Sequence, residues 1–342
     1  MSRFSYPDHT FVIAELSANH GHDIENALAT VRAAKACGAD AIKIQTYTAD
    51  TITLDCDNEY FQIKSGTIWD GTTLHKLYQQ AYTPWEWHAA IQAEAAREGL
   101  VFFSSPFDFT AVDFLESLDV PLYKIASFEI NDIPLIEYAA AKGKPMIIST
   151  GIARLADIEE AVAACRRVGN DDITLLKCTS AYPAQPGEAN LLTIPHLRDT
   201  FKVRVGLSDH TMGHAVPIAA VALGARVIEK HFILDRAIGG PDASFSMTPA
   251  EFKLMVDGVR VAEQALGAVS YELTPKVAAS RKFARSLFVA EPIRAGEPFT
   301  AANMRSVRPS DGLHPRHYGE VLGRLARTDL APGTPLAWDL IV

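Results

Sequence analysis

Eight short apolar segments, each followed by polar residues and separated from the next by helical patterns, constrain the fold of this chain most strongly. Segments 23–37, 157–168 and 214–223 carry apolar residues at helical spacing. The eight apolar segments are Phe11–Glu15, Ala41–Gln45, Leu100–Ser104, Leu122–Ile125, Pro145–Ser149, Thr174–Cys178, Val203–Leu207 and Val227–Lys230. Strands that alternate with helices form parallel sheets through right-handed crossovers. Eight such units predict a (β/α)8 TIM barrel. A doubly wound sheet is the alternative, but no GxGxxG sequence follows the first strand.

The C-terminal part of the chain has a different composition. From Ser286 onward it contains six Arg and no Lys, and turns rich in Gly and Pro recur. Short strands between such turns are typical of a small β domain. We therefore expect a barrel domain over residues 1–268, a linker over 269–285 and a small, mostly β domain over 286–342.

Charge and hydropathy exclude several classes of protein. The net charge of −9 makes a nucleic-acid-binding surface improbable. No apolar run approaches the roughly 20 residues that span a bilayer, and the first residues lack the apolar segment of a signal peptide. The four cysteines form no CxxC pair, which favours reduced thiols. We expect a cytoplasmic protein that binds neither nucleic acid nor membrane.

Polar side chains stand at the C-terminal end of every predicted strand, where barrel enzymes carry their active sites. In chain order they are Glu15; Lys43 and Gln45; Ser104 and Ser105; Lys124 and Ser127; Ser149 and Thr150; Lys177, Thr179 and Ser180; Ser208, Asp209 and His210; and Glu229, Lys230 and His231. A complete ring of this kind is hard to explain by structural requirements alone. It predicts a catalytic pocket at this end of the barrel.

Two lysines, Lys43 and Lys124, lie among apolar neighbours and need partners, because an unpaired buried charge is costly. One interpretation pairs them with Glu15 or Glu229. Another assigns them to a bound phosphate or carboxylate, with nearby hydroxyls completing the anion site. A Schiff-base lysine is the third, and Lys177 shares the same ambiguity.

Two histidines, His210 and His231, end neighbouring predicted strands. They are either hydrogen-bonded core residues or ligands of a divalent metal, and we favour the metal. Two histidines suit Mn²⁺ or Mg²⁺ completed by water and substrate oxygens better than a closed Zn²⁺ site. Asp242 either contacts that metal's water shell or a substrate hydroxyl, or belongs to a plain turn. His20 either lines the opening of the same pocket or only caps the first turn.

These motifs resemble the sialic acid synthase family, the phosphoenolpyruvate-dependent nonulosonic acid synthases. The matching segments are 14–15, 19–20, 43–45, 105–108, 123–127, 149–151, 178–182, 206–210, 228–231 and 240–242. The C-terminal part resembles the antifreeze-like (SAF) domain of that family. Within the family, segments 46–50, 53–61, 68–71 and 82–87 most resemble the branch that makes pseudaminic acid. A Ser at position 180, where sialic acid synthases carry Asn, argues against N-acetylneuraminate as the product.

The resemblance implies a transferase that condenses phosphoenolpyruvate with an open-chain N-acetylated sugar, here 2,4-diacetamido-2,4,6-trideoxy-L-altrose, and releases phosphate. Synthesis of N-acetylneuraminate or legionaminic acid by the same mechanism is the nearest alternative. A Schiff-base aldolase and a carbohydrate-binding protein on an inactive barrel are alternatives from other classes.

The resemblance also implies residue roles. Glu15 would activate water, and His210 and His231 would hold a divalent metal, Mn²⁺ before Mg²⁺ or Co²⁺. The phosphoenolpyruvate ligands would be Lys43, Ser105, Lys124, Ser127, Ser149, Ser180 and Ser208. The sugar ligands would be Gln45, Tyr182, Asp242 and Arg308, the last reaching the active site of the partner in a domain-swapped homodimer.

Overall fold

A closed barrel of eight parallel strands forms the larger of two compact units in the computed structural model, which describes residues 4–64, 66 and 68–342. The first three residues of the N-terminal stretch compared with a signal peptide lie outside that range. Each strand pairs with its neighbours in sequence, and the first pairs with the last. The strands are β1 (Phe11–Glu15), β2 (Ala41–Thr46), β3 (Val101–Pro106), β4 (Tyr123–Ile125), β5 (Met146–Ser149), β6 (Ile173–Cys178), β7 (Arg204–Asp209) and β8 (Val227–His231). The predicted TIM barrel is confirmed.

Helices separate successive strands along the chain. They are α1 (Ile24–Ala36), α2 (Ala49–Ile52), α3 (Leu74–Ala81), α4 (His88–Glu98), α5 (Phe109–Ser117), α6 (Ile133–Ala140), α7 (Leu155–Arg167), α8 (Thr193–Phe201), α9 (Ala215–Ala222) and α10 (Pro249–Leu266). The large core lies between helices and strands, where residues such as Val12, Ile42 and Ile148 are fully buried. No helix among the described residues is long and apolar enough to cross a membrane.

The inward-facing residues of the strands are apolar in the lower half of the barrel and polar in the upper half. Successive residues of a strand point to opposite faces. In β1, Phe11 and Ile13 belong to an apolar cluster with Phe103 and Ile147 of other strands, and Glu15 follows two residues later. Since the same order recurs around the barrel, the polar residues collect at the C-terminal end.

The segment between β2 and α4 contains the two short helices α2 and α3. Threonines cap both: Thr48 accepts a hydrogen bond from the amide N–H of Thr51, and Thr73 accepts one from that of Lys76. Side-chain capping satisfies backbone donors at the first turn and favours helix formation. The aromatic and polar composition of the segment masked these two cap signals in the sequence.

The second unit begins at Ala268 and ends at Val342. Its strands β9 (Ser286–Val289) and β10 (Met304–Val307) pair antiparallel. Its helices are α11 (Pro275–Ser280), which lies within the stretch predicted as a linker, and α12 (Tyr318–Val321). Isolated bridges such as Ile293 with Leu330 join further segments to one another. A separate apolar core, which includes Leu287, Phe299 and Met304, holds this unit together.

Candidate active site

A cavity of about 680 Å³ opens at the C-terminal ends of the barrel strands. Twelve of the fourteen residues assigned to the site from sequence line it: Glu15, Lys43, Gln45, Lys124, Ser127, Ser149, Ser180, Tyr182, Ser208, His210, His231 and Asp242. Register explains part of this convergence. Glu15 of β1 lies opposite Lys43 of β2 on one side and His231 of β8 on the other. Three strands thus place these groups at the same height.

A network of buried charges forms the floor of the cavity. Lys43 Nζ lies 2.6 Å from Glu15 Oε2 and 3.9 Å from Glu229 Oε1. Lys124 Nζ donates to Glu229 Oε1 at 3.0 Å, and Ser208 Oγ donates to the same oxygen at 3.1 Å. The ion pairs considered from the sequence are therefore formed. Both ammonium groups still line the cavity, so pairing leaves them accessible to an anionic ligand.

Burial sets the ionisation of this network. It raises the pKa of Glu15, against the opposing effect of Lys43, which makes this carboxylate a stronger base. Burial by itself would raise the pKa of Glu229, but Lys124 and Lys43 outweigh it and lower that pKa to about 2. Burial lowers the pKa of Lys124. Two carboxylates on one floor thus have different proton affinities, as acid–base catalysis requires.

Serine hydroxyls converge beside the lysines. The amide N–H of Gly151 donates to Ser127 Oγ at 3.1 Å. A Cβ at Gly151 would lie 2.1 Å from Ser180 Oγ and 2.7 Å from Ser127 Oγ, so this close approach requires glycine. Ser149 Oγ is buried without a hydrogen-bond partner. Unsatisfied hydroxyls next to ammonium groups suit the oxygens of a phosphate or carboxylate.

The two histidines lie side by side, with ring centroids 5.2 Å apart. His210 Nδ1 donates to the carbonyl oxygen of Thr179 at 3.0 Å, which fixes the orientation of the ring. Burial, reinforced by His210, lowers the pKa of His231 well below its usual range, so its imidazole is neutral. His231 Nδ1 is buried without a hydrogen-bond partner and lies 3.7 Å from Asp242 Oδ2.

This donor set fits a divalent metal that takes its other ligands from water and substrate. Neutral imidazole is the form that binds metals, and an orphaned buried nitrogen needs a partner. In the part of the chain that the structure describes, no group of three or more His, Cys, Asp and Glu side chains has metal-site geometry. A closed, all-protein site is therefore not formed by those residues.

Polar groups that could hold a sugar lie next to Glu15 and His210. Gln45 Nε2 donates to Glu15 Oε1 at 3.1 Å and to Ser17 Oγ at 2.9 Å. Ser17 Oγ in turn donates to a carboxylate oxygen of Asp242. The Tyr182 ring packs on His210 with centroids 4.5 Å apart. Asp242 is therefore part of a hydrogen-bonded network and more than a turn residue.

Four residues that the sequence suggested for the site do not line this cavity. Ser105 is buried behind Lys43, whose Nζ donates to its hydroxyl at 3.3 Å. His20 is fully buried, contacts Trp87 and accepts from the amide N–H of His22. Lys177 Nζ donates to the carbonyl oxygen of Cys178 and to Thr179. Arg308 belongs to the second unit.

Glu129 lines the cavity and was not identified from the sequence, although it follows Ser127 by only two residues. Its Oε2 atom is buried without a hydrogen-bond partner. Burial raises the pKa of this carboxyl to about 7, against the opposing effect of Lys124. Near neutral pH, Glu129 can therefore either donate or accept a proton. Glu129 lies four residues beyond the end of β4, further along the chain than the strand-end positions from which the site was predicted.

We expect Glu129→Gln to stabilise the protein at alkaline pH. The pKa of this carboxyl group is higher in the folded protein than in the unfolded chain. Its contribution therefore lowers the stability of the protein as the pH rises from 4.5, the unfolded pKa, to about 7. The unfolding free energy should rise by about 2 kcal/mol at pH 8, after allowance for solvent at the cavity, and change little at pH 5. Denaturant unfolding at both pH values measures this. Glu159→Gln, at an exposed position of α7, is the control; equal effects of both variants would contradict the prediction.

Comparison with known proteins identifies relatives of both units. The NeuB family model matches residues 30–271, and the SAF domain model matches residues 284–342. The pseudaminic acid synthase of Campylobacter jejuni is 49% identical over 98% of each chain. That of Helicobacter pylori is 48% identical over 96% of each. The N,N'-diacetyllegionaminic acid synthase of Legionella pneumophila is 35% identical over 97% of this chain and 94% of its own.

A solved structure agrees with these matches. The spore coat polysaccharide biosynthesis protein SpsE from Bacillus subtilis superposes with a TM-score of 0.66 at 34% identity. The match covers 100% of this chain and 99% of that one. The order of barrel and C-terminal region is therefore shared along the whole chain.

Proposed function

The chain belongs to the NeuB family, and we propose that it condenses phosphoenolpyruvate with 2,4-diacetamido-2,4,6-trideoxy-L-altrose and water to give pseudaminic acid and phosphate. The observation that carries the choice of product is the difference in identity between relatives. Pseudaminic acid synthases are 48–49% identical to this chain, and a diacetyllegionaminic acid synthase is 35% identical. The cavity holds lysines and serine hydroxyls that suit phosphoenolpyruvate, and further polar side chains that suit the sugar.

Phosphoenolpyruvate needs cations and hydrogen-bond donors for its phosphate and carboxylate groups. Lys43 and Lys124 supply the cations, and Ser127, Ser149, Ser180 and Ser208 supply hydroxyls. Ser105 acts through Lys43, whose ammonium it contacts, and not through direct contact with the substrate. The carboxylates of Glu15 and Glu229 balance the lysines before substrate binds, which lowers the cost of burying them.

In the reaction, the methylene carbon of phosphoenolpyruvate forms a bond to the aldehyde carbon of the open-chain sugar. The aldehyde oxygen takes up a proton, which the raised pKa of Glu129 suits this residue to supply. Water then adds to the former enol carbon, and Glu15, a base of raised pKa, accepts a proton from it. Phosphate leaves by cleavage of its bond to that carbon. Gln45, Tyr182 and Asp242 hydrogen-bond the sugar.

We propose that His210 and His231 hold a divalent cation, with Mn²⁺ first and Mg²⁺ or Co²⁺ as substitutes. The orphaned nitrogen of His231 and its neutral imidazole support this assignment. Such an ion would act as a Lewis acid toward the aldehyde oxygen.

We propose that the enzyme works as a domain-swapped homodimer in which Arg308 contacts the sugar bound by the partner. The match of residues 284–342 to the SAF domain supports the resemblance on which this rests. Sedimentation equilibrium tests the oligomeric state, and a monomeric active enzyme would contradict the proposed homodimer.

We also propose a cytoplasmic location, in keeping with four unpaired cysteines. Cell fractionation tests this location.

A phosphate-release assay with phosphoenolpyruvate and the sugar precursors of pseudaminic, legionaminic and N-acetylneuraminic acid tests the function. We expect turnover with the first of these, loss of activity in EDTA and recovery with added Mn²⁺. Activity that survives EDTA and is trapped by borohydride would favour a Schiff-base aldolase that uses Lys124 instead. Absence of phosphate release with every sugar would favour a carbohydrate-binding protein.

A further inference from the structure

The cavity wall is divided into a charged part and an apolar part. Among the described lining residues, every charged side chain belongs to a barrel strand or to the loops that follow β4 and β8. By contrast, none of the described lining residues between β2 and α4 carries a charge. They are Tyr47, Ile52, Ile63, Trp69, Leu74, Leu77, Tyr78 and Ala81, and we call this set the apolar wall. A ligand that fills the cavity therefore meets charged side chains from the strands and uncharged, mostly apolar side chains from the apolar wall.

Specific contacts hold the apolar wall over the mouth of the barrel. Trp69 Nε1 donates to the carbonyl oxygen of Pro241 at 3.0 Å, and its ring lies 5.4 Å from that of Tyr182. The Tyr47 ring packs edge-on against Tyr78 and Phe107, with centroids 5.6 and 5.1 Å away. The wall is thus tied to the loops after three strands, β3, β6 and β8.

Capping and a hydrogen bond fix the helix that carries half of the wall. Thr73 caps α3, and the buried His75 beside it contacts Asp50 at 2.9 Å. Helix α3 therefore presents Leu74, Leu77 and Tyr78 from a defined face. A preformed apolar surface of this kind favours methyl groups, because burying a hydroxyl against it without a partner costs free energy.

We propose that the apolar wall binds the C6 methyl end of the sugar and so selects 6-deoxy sugars over their 6-hydroxy counterparts. This inference rests on the proposed function. The aldehyde carbon must reach phosphoenolpyruvate at the charged floor, and C6 is the far end of the open chain. The far end consequently points away from the lysines toward the apolar wall.

Competition between two sugars tests the proposal. The probes are 2,4-diacetamido-2,4,6-trideoxy-L-altrose and the same sugar with a hydroxyl on C6. We expect the unmodified enzyme to prefer the 6-deoxy sugar by roughly tenfold to a hundredfold in kcat/KM, the discrimination that one apolar contact provides. A ratio near one for the unmodified enzyme, with turnover of both sugars, overturns the proposal and leaves the proposed function standing.

Leu77→Gln places a polar group on the wall without disfavouring the helix. We expect it to raise the KM for the 6-deoxy sugar, to reduce the preference by about tenfold and to leave the KM for phosphoenolpyruvate unchanged. Leu254→Gln, the same substitution at an exposed position of α10, should leave all three quantities unchanged. A folded Leu77→Gln enzyme that keeps the full preference overturns the proposal. Failure of the unmodified enzyme to release phosphate with either sugar overturns the proposed function, and this inference with it.

Discussion

Replacing His231 with alanine is expected to lower kcat/KM by on the order of a thousandfold or more, since Lewis-acid activation supplies several kcal/mol of transition-state stabilisation. The fold should survive, because His231 Nδ1 has no hydrogen-bond partner and its ring contributes mainly packing against Phe245. Steady-state phosphate release measures the activity. Mn²⁺ binding, followed by calorimetry on the intact enzyme, should weaken in parallel.

An exposed histidine provides the matched control for this variant. His196 lies on the surface of α8, so His196→Ala should retain full activity and Mn²⁺ affinity. Thermal unfolding of both variants checks that neither is misfolded. Near-normal turnover by His231→Ala, in a preparation that binds Mn²⁺ as before, would show that the metal assignment is wrong.

A Lys124→Met variant should bind phosphoenolpyruvate about a hundredfold more weakly and unfold more easily. Its ammonium is 3.0 Å from Glu229 Oε1 at the cavity floor, and both residues are buried. Removing one partner of a buried pair leaves an uncompensated charge, which destabilises a protein by about 3 kcal/mol. Calorimetric titration with phosphoenolpyruvate, without sugar, measures the binding, and denaturant unfolding measures the stability.

A second buried ion pair separates these two effects. Lys230 pairs with Asp209 and is as deeply buried as Lys124, but it does not line the cavity. Lys230→Met should therefore lose comparable stability while keeping its affinity for phosphoenolpyruvate. Equal affinity in the two variants would mean that Lys124 is structural and does not bind the substrate.

The sequence indicated the architecture because the signals for it are local and periodic. Apolar runs of strand length, each ending in polar residues, predicted all eight barrel strands, with differences of one or two residues at their ends. Their positions at the C-terminal ends of predicted strands also placed Glu15, Lys43 and His231 at one end of the barrel, since parallel strands end at the same side. The change in composition after Ser286 indicated the second unit.

Only the tertiary structure decided how those groups pair. The sequence allowed each lysine to pair with either of two carboxylates. In the closed barrel, Lys43 lies closest to Glu15 and Lys124 lies beside Glu229. The same closure hides Ser105 behind Lys43. The structure also added Glu129 and the apolar wall, which lie outside the strands. Periodicity reports which face a residue occupies, whereas distances across a closed barrel depend on strands far apart in sequence.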